Sequence, residues 1–147
     1  MKSSKPKLTV GMICLATLRA NVTYGQASGD KKPADWPRDQ DAVISAKKNH
    51  KILLENDSVR VLEVTILPGE KEAVHHHQWP GVLYVMEGED FIDRDGEGNV
   101  IFDSRKIPSF HSIKRPKTSW TGPQGPHSIE NLSKTQAIRI IRVEIKK

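Results

Sequence analysis

Short hydrophobic runs separated by turn residues make up most of the chain from residue 50 onward. In residues 58–67 (SVRVLEVTIL) two sets of side chains alternate, and Pro68-Gly69 follows, as in a β-strand that ends in a turn. One of the two predicted faces carries Arg60, Leu62, Val64 and Ile66. Residues 82–86 (VLYVM) are apolar throughout, which favours a strand buried on both faces. No segment of this region has a convincing helical periodicity.

Two further patterns complete the prediction of an all-β domain. Residues 91–93 and 100–103 flank Asp95-Gly96-Glu97-Gly98, where two glycines supply the positive φ values that a tight hairpin requires. Residues 136–145 (QAIRIIRVEI) read as a long strand whose apolar face changes phase near Ile140 and Ile141, which indicates a bulge. Strands separated by frequent turns predict a β-sandwich or β-barrel.

The first 27 residues follow a different pattern. Three lysines precede an apolar run of 11 residues at positions 8–18, and small residues follow at Gly25 and Ala27. This order is typical of a removable export signal, and the run is shorter than the ~20 residues of a membrane-spanning helix. We therefore expect a bacterial protein that is exported to the periplasm or secreted, without a stable membrane anchor. A buried N-terminal helix or strand is the alternative.

Residues 28–49 show no sustained periodicity and contain Gly29, Pro33 and Pro37. We interpret them as a linker or N-terminal arm. Either Trp36 pins this arm to the following domain through its indole, or the segment is a solvated tail.

The composition of the chain limits the classes of protein to which it can belong. The 147 residues, 36% hydrophobic and 28% charged, suit one globular domain and exclude a multi-span membrane protein. The formal net charge is +5, but residues 1–27 hold four basic and no acidic residues, so the rest of the chain is nearly neutral. This excludes a nucleic-acid partner, which would need a concentrated basic face.

A cluster of histidines carries the candidate chemistry. Side chains alternate along a strand, so His75 and His77 share one face and His76 lies on the other. His127 is the natural candidate for a third ligand from a different strand. Three neutral imidazoles suit Zn, Fe, Ni, Cu or Mn, whereas a solvated group of histidines without metal is the alternative.

The spacing of these residues resembles the cupin family. Residues 69–88 match the first cupin motif, with Gly69, His75, His77 and Gly88 in place, and residues 123–131 (PQGPHSIEN) are similar to the second motif with one residue fewer before the histidine. The resemblance covers residues 50–147 and implies a cupin-type jelly-roll β-barrel with a site inside it. One departure is that the first motif's glutamate falls on Gly81.

Carried over residue by residue, the resemblance implies a divalent transition metal held by three histidines and a small-molecule pocket beside it. The implied metal ligands are His75, His77 and His127, and the implied pocket residues are Gln78, Gly81, Tyr84 and Trp120. For Tyr84 and Trp120, packing in the core is the alternative.

Three functions follow from the resemblance. One is a mononuclear non-haem iron dioxygenase of the three-histidine type, the second is a metal-free module that binds a small molecule, and the third is a dimerisation unit. We expect a small-molecule ligand or substrate and a possible homodimer, and the sequence does not decide whether the protein is an enzyme.

Overall fold

The computed structural model describes residues 32–146, and strands dominate this part of the chain. The predicted signal segment, residues 1–27, lies outside the described residues. In chain order the strands are β1 (His50–Glu55), β2 (Val59–Ile66), β3 (His75–His77), β4 (Gly81–Glu87), β5 (Phe91–Asp95), β6 (Val100–Asp103), β7 (Lys117–Thr121), β8 (Gln124–Asn131) and β9 (Ile138–Ile145).

The strands form two antiparallel sheets. One has the order β1-β2-β9-β4-β7 and the other the order β3-β8-β5-β6. The prediction of an all-β domain is confirmed. Because neighbours such as β2 and β9 are far apart in sequence, long-range pairing brings the histidines of separate segments together.

The hydrophobic core lies between the two sheets. Leu62, Val64 and Ile66 of β2 are buried and pack with Ile138 of β9, as the alternation in residues 58–67 predicts. Phe91 and Ile129 of the second sheet pack against this cluster. Full burial of each aliphatic side chain contributes about 1.5–3 kcal/mol.

The inner face of β9 explains its irregular hydrophobic pattern. Strand β9 pairs with β2 residue by residue from Ile138 to Ile145, without a bulge. The predicted bulge near Ile140 and Ile141 is therefore wrong for this strand. The register shifts instead on β4, between Val85 and Glu87. The apparent change of phase arises because β9 buries Arg142 and Glu144 on the face that also holds Ile138 and Ile140.

The hairpin between β5 and β6 uses one of its two glycines as predicted. Gly98 has φ +91°, a left-handed conformation that favours glycine. Gly96 has no positive φ, contrary to the prediction. A side chain there would place Cβ 2.9 Å from Cβ of Pro126, so glycine is needed for space.

The segment before β1 packs on the sheets. It contains two 3-10 turns, Pro33–Asp35 and Arg38–Gln40, and the short helix α1 (Ala42–Ser45). The Asp41 side chain caps α1 by accepting a hydrogen bond from the Val43 amide at 3.1 Å. Trp36 is buried, with its ring centroid 5.3 Å from that of His76. Within residues 32–146, no helix is long and apolar enough to cross a bilayer.

Candidate metal centre

Four buried imidazoles meet between the two sheets. His50 begins β1, His75 and His77 lie on β3, and His127 lies opposite His75 on β8. The ring centroid of His75 is 4.6 Å from His50, 5.0 Å from His77 and 4.5 Å from His127. This set is called the imidazole cluster below.

The imidazole cluster unites the three histidines predicted from the sequence and adds a fourth. One ring nitrogen from each of His50, His75 and His77 lies within 4.8 Å of the others, a separation suited to one metal ion. That group does not include His127, whose ring centroid is 5.7 Å from that of His77 and 4.5 Å from that of His75. His50 was missed by the sequence analysis because it lies outside both motifs, and only the pairing of β1 with β2 places it at the cluster.

Hydrogen bonds hold all four rings in the same tautomer. Nδ1 lies 3.2 Å from the Ala46 carbonyl in His50, 2.9 Å from the Ala73 carbonyl in His75, and 2.8 Å from the Gly125 carbonyl in His127. A carbonyl oxygen can only accept, so Nδ1 carries the hydrogen in each of these rings. The described residues make no hydrogen bond to the four Nε2 atoms, which are therefore available as ligands.

In His77 the partner of Nδ1 is a carboxylate. Glu144 Oε1 lies 2.7 Å from Nδ1 and also accepts from Arg142 Nε at 3.1 Å. A carboxylate behind a histidine fixes the ring and raises its basicity toward a metal. The four rings thus share the chemistry of a histidine metal site.

Burial keeps the imidazoles neutral. It lowers the pKa of His50 and of His127 to about 4, and it lowers the pKa of His75 and His77 well below 6.5. The neighbouring Arg142 and the other rings act in the same direction. Neutral imidazole is the form that ligates a divalent transition metal, so the donor set fits such an ion without first losing protons.

A buried charge network supports the cluster. Arg142 donates from Nη1 to the Gln124 side-chain oxygen and from Nε to Glu144. Arg60 Nη1 lies 3.7 Å from the other Glu144 oxygen and 3.0 Å from Asp41 of the N-terminal arm. Burial raises the pKa of Glu144, whereas the two arginines oppose that shift. The network therefore connects His77 to the arm through side chains alone.

Gly81 stands beside this network, where the family motif would carry a glutamate. It pairs across the strands with Glu144 and Thr121. A Cβ at Gly81 would lie 2.0 Å from the Val143 carbonyl oxygen, so the backbone leaves no space for a side chain. The backbone at position 81 therefore has no room for the motif's carboxylate. Glu144 brings a carboxylate to the same region, behind His77.

Three predicted pocket residues lie elsewhere. Tyr84 is 40% exposed and Trp120 is 61% exposed, so both face away from the interior. Their strands turn Leu83 and Ser119 inward instead, and Tyr84 and Trp120 occupy the alternate positions. Gln78 lies at an outer groove between the arm and β3. None of these three residues lines the cavity between the sheets.

His76 also lies at this outer groove, as strand alternation predicts. Its Nε2 donates to the Pro37 carbonyl at 2.8 Å, and its ring packs on Trp36. These contacts commit His76 to holding the arm.

An internal cavity adjoins the cluster. Its volume is about 140 Å³, and most of its wall is apolar, from residues such as Leu83, Phe91, Phe110 and Ile140. Gln124 and Asp93 also line it. Gln124 is the cross-strand partner of His77 and accepts from Arg142, so the cavity and the imidazole cluster are neighbours.

Comparison with solved structures identifies the architecture. A cupin domain from Bordetella pertussis Tohama I matches with a TM-score of 0.53 and 21% sequence identity, over 67% of this chain and 92% of that one. The chain has the fold of a cupin domain. The predicted jelly-roll architecture is confirmed.

Other structures match this cupin fold at TM-scores below 0.5. A cupin family protein with a double-stranded β-helix fold from Methanocaldococcus jannaschii has a TM-score of 0.47 and 11% identity, over 66% of this chain and 78% of that one. The polyketide cyclase RemF from Streptomyces resistomycificus has a TM-score of 0.44 and 17% identity, over 67% of this chain and 64% of that one. No protein-family model and no curated protein matches the sequence.

Proposed function

We propose that this chain is a small exported cupin-fold protein that holds one divalent transition-metal ion through histidines and a small molecule in the adjoining cavity. The observation that carries the proposal is the imidazole cluster, in which four neutral rings have Nδ1 committed to an acceptor. His75, His77 and His127 would hold the ion, as the family motifs imply, and His50 would replace the missing motif glutamate. Fe, Zn, Mn, Ni and Cu all suit such a donor set.

Two alternatives differ in what the metal does. In the first, the protein is a mononuclear iron dioxygenase, for which imidazole ligands would leave coordination positions open to substrate and oxygen. In the second, the cavity binds a small molecule without metal. Export to the periplasm or medium rests on the basic, apolar and small-residue order of residues 1–27.

A homodimer is the expected assembly, and the outer face of the larger sheet supports it. Cross-strand pairing aligns one apolar residue from each of five strands in a row: Leu54, Val61, Val143, Val82 and Trp120. An apolar row on an outer sheet face is typical of a surface that binds another chain, here a second copy related by a two-fold axis. Light scattering of the purified chain measures its mass in solution.

Elemental analysis of purified variants tests the metal site. We expect about one metal ion per wild-type chain and loss of most of it in His50→Ala, His75→Ala, His77→Ala and His127→Ala, because each removes a ligand. His111→Ala is the matched control, since its side chain is exposed and lies in a short 3-10 turn near Asp90. Circular dichroism establishes that each variant is folded.

The same measurements separate the alternatives. Metal-free wild-type protein that still binds small molecules would favour the binding module. Iron together with substrate-dependent oxygen consumption would favour the dioxygenase. Equal metal loss in His111→Ala and the cluster variants would indicate adventitious binding and contradict the proposal.

A further inference from the structure

The cavity beside the imidazole cluster has a different chemistry at each end. Its apolar middle includes two aromatic walls, Phe91 and Phe110. Among the lining residues, Arg115 is half-buried and Lys117 is exposed, whereas Asp93 is buried. The two basic residues therefore mark the open end of the cavity, and Asp93 marks the buried end. A ligand that fits must therefore be amphipathic along its length.

The two basic residues at the open end are available to an anion. Arg115 packs on the Phe110 ring, 5.1 Å from its centroid, and within the described part of the chain it donates only to the Ile113 carbonyl, at 3.5 Å. Among residues 32–146, neither Arg115 nor Lys117 forms an ion pair with a carboxylate. An anionic group in the cavity mouth would meet two uncompensated positive charges.

The acidic residues at the same end already have partners. Glu87 accepts from the Gln136 side-chain amide at 2.6 Å and lies 3.6 Å from Arg139. Glu89 accepts from the Ser133 hydroxyl at 2.6 Å. Arg139 pairs with Glu87, whereas the neutral Ser133 hydroxyl leaves Glu89 its charge. The mouth therefore holds both signs of charge, and Arg115 and Lys117 supply its cationic part.

The buried end offers a hydrogen-bond acceptor. Asp93 Oδ1 is buried and has no partner among the described residues. A buried polar atom without a partner costs free energy that a ligand donor would recover. Burial also raises the pKa of Asp93 to about 7, so a hydroxyl group can pair with either protonation state of this carboxyl.

We propose that the cavity binds a single-ring aromatic carboxylate that carries a hydroxyl group opposite its acid group. The carboxylate would lie at Arg115 and Lys117, the ring between Phe91 and Phe110, and the hydroxyl at Asp93. The volume of about 140 Å³ agrees with this class, since a cavity of roughly 150 Å³ holds one benzene ring. The inference rests on the small-molecule part of the proposed function and does not require the metal.

Calorimetric titration of the full chain tests the ligand class, with 4-hydroxybenzoate as the probe. Benzoate lacks the hydroxyl group. In 4-hydroxybenzyl alcohol a neutral group replaces the carboxylate, and in 4-hydroxybenzylamine a cationic group replaces it. We expect 4-hydroxybenzoate to bind about fivefold more tightly than benzoate, because one hydrogen bond is lost in benzoate. The neutral alcohol should bind more weakly than 4-hydroxybenzoate, and the amine more weakly still.

Two variants assign the ends of the ligand. Lys117→Gln should weaken 4-hydroxybenzoate about two- to fivefold, as expected for one solvent-screened charge, and leave the alcohol unchanged. Lys51→Gln is the matched control, because Lys51 is exposed on β1 at the opposite edge of the same sheet. Asp93→Ala should abolish the advantage of 4-hydroxybenzoate over benzoate.

Titrations with and without chelator distinguish this inference from the metal proposal. Selective binding of 4-hydroxybenzoate by metal-free protein would support the ligand class even if the protein holds no metal ion. Metal-loaded protein that binds none of the four compounds, or that binds the amine as tightly as the acid, would overturn it. If Lys117→Gln and Lys51→Gln weaken the acid equally, the assignment of the cavity mouth is wrong.

Discussion

Glu144 is the residue on which the imidazole cluster and the buried arginines converge. One of its oxygens contacts His77 and Arg142, and the other faces Arg60. A carboxylate in this position orients the His77 ring without itself contacting a ligand of the cavity.

We predict that Glu144→Gln weakens metal binding by about tenfold, because loss of a carboxylate behind a ligating histidine typically costs 10–100-fold in affinity. Competition with a chromophoric zinc chelator measures the change. Glu130→Gln is the matched control, because Glu130 forms a partly exposed ion pair with Arg94. An unchanged zinc affinity in folded Glu144→Gln would mean that the ring is positioned by packing alone.

A second prediction concerns the space at Gly81. Gly81→Ala should destabilise the fold by about 2 kcal/mol or more, because the added carbon would overlap the Val143 carbonyl and force the β4 and β9 backbones apart. Urea unfolding measures the difference. Gly122→Ala should be nearly neutral, since no atom lies within 4 Å of its would-be Cβ. Similar losses in both variants would indicate that the approach of β9 is not the cause.

For individual residues of the site, the spacing along the sequence decided which positions could be predicted. His75, His77 and His127 are identified by two local motifs, and strand alternation separates His76 from them. His50 has no such signal, since its place depends on a register set 14 residues away, opposite Val64. Tyr84 and Trp120 are amphipathic, so their residue type alone does not distinguish an inner position from an outer one.

Among the elements, the N-terminal arm contributes most to the site beyond the sheets. It supplies Asp41 to Arg60, the Ala46 carbonyl to His50, and Trp36 to the ring of His76. The arm therefore braces β1 and β3, the two strands that carry three of the four imidazoles.

We predict that Trp36→Ala lowers the free energy of unfolding by about 3 kcal/mol, the usual cost of removing a buried aromatic side chain. Chemical denaturation monitored by circular dichroism gives the value. Leu67→Ala serves as the comparison, because its exposed side chain should contribute less than about 0.5 kcal/mol. Equal effects of the two substitutions would show that the arm adds little to stability.

The strands show which features follow from the local hydrophobic pattern and which depend on pairing with other strands. Residues 58–67 alternate cleanly because the partner face is apolar, and β2 appears there with the predicted face inward. The pattern of β9 misleads because Arg142 and Glu144 are buried for electrostatic reasons. No local rule places charged residues on an inner face; their partners come from β3, β8 and β2.

For the whole molecule, the buried ionisable groups make stability depend on pH in two opposing ways. The four imidazoles have a lowered pKa, so below about pH 6.5 the unfolded chain takes up protons that the folded chain does not, and stability falls as the pH falls. Glu72 and Asp93 have pKa values raised to about 8 and about 7, and burial also raises the pKa of Glu144. These three carboxyl groups act in the opposite direction, so they reduce stability as the pH rises.

We predict that metal-free protein loses stability between pH 6.5 and 5, because four imidazoles outnumber the three carboxyl groups over that interval. Thermal unfolding in chelator at a series of pH values should show a melting temperature that decreases with acidification. His111→Ala should follow the same curve, since that side chain is exposed. A melting temperature that rises toward pH 5 would mean that the carboxyl groups dominate.

The attachment of His50 has a kinetic consequence. Its ring is held by the Ala46 carbonyl, in the turn at residues 46–49 that leads from the arm directly into β1. Opening of the arm would therefore withdraw the His50 ring while the two motif segments stay in place. Local opening of a short segment needs far less free energy than global unfolding. Exchange of the proposed ion should therefore follow the opening rate of the arm, with the sheets still folded.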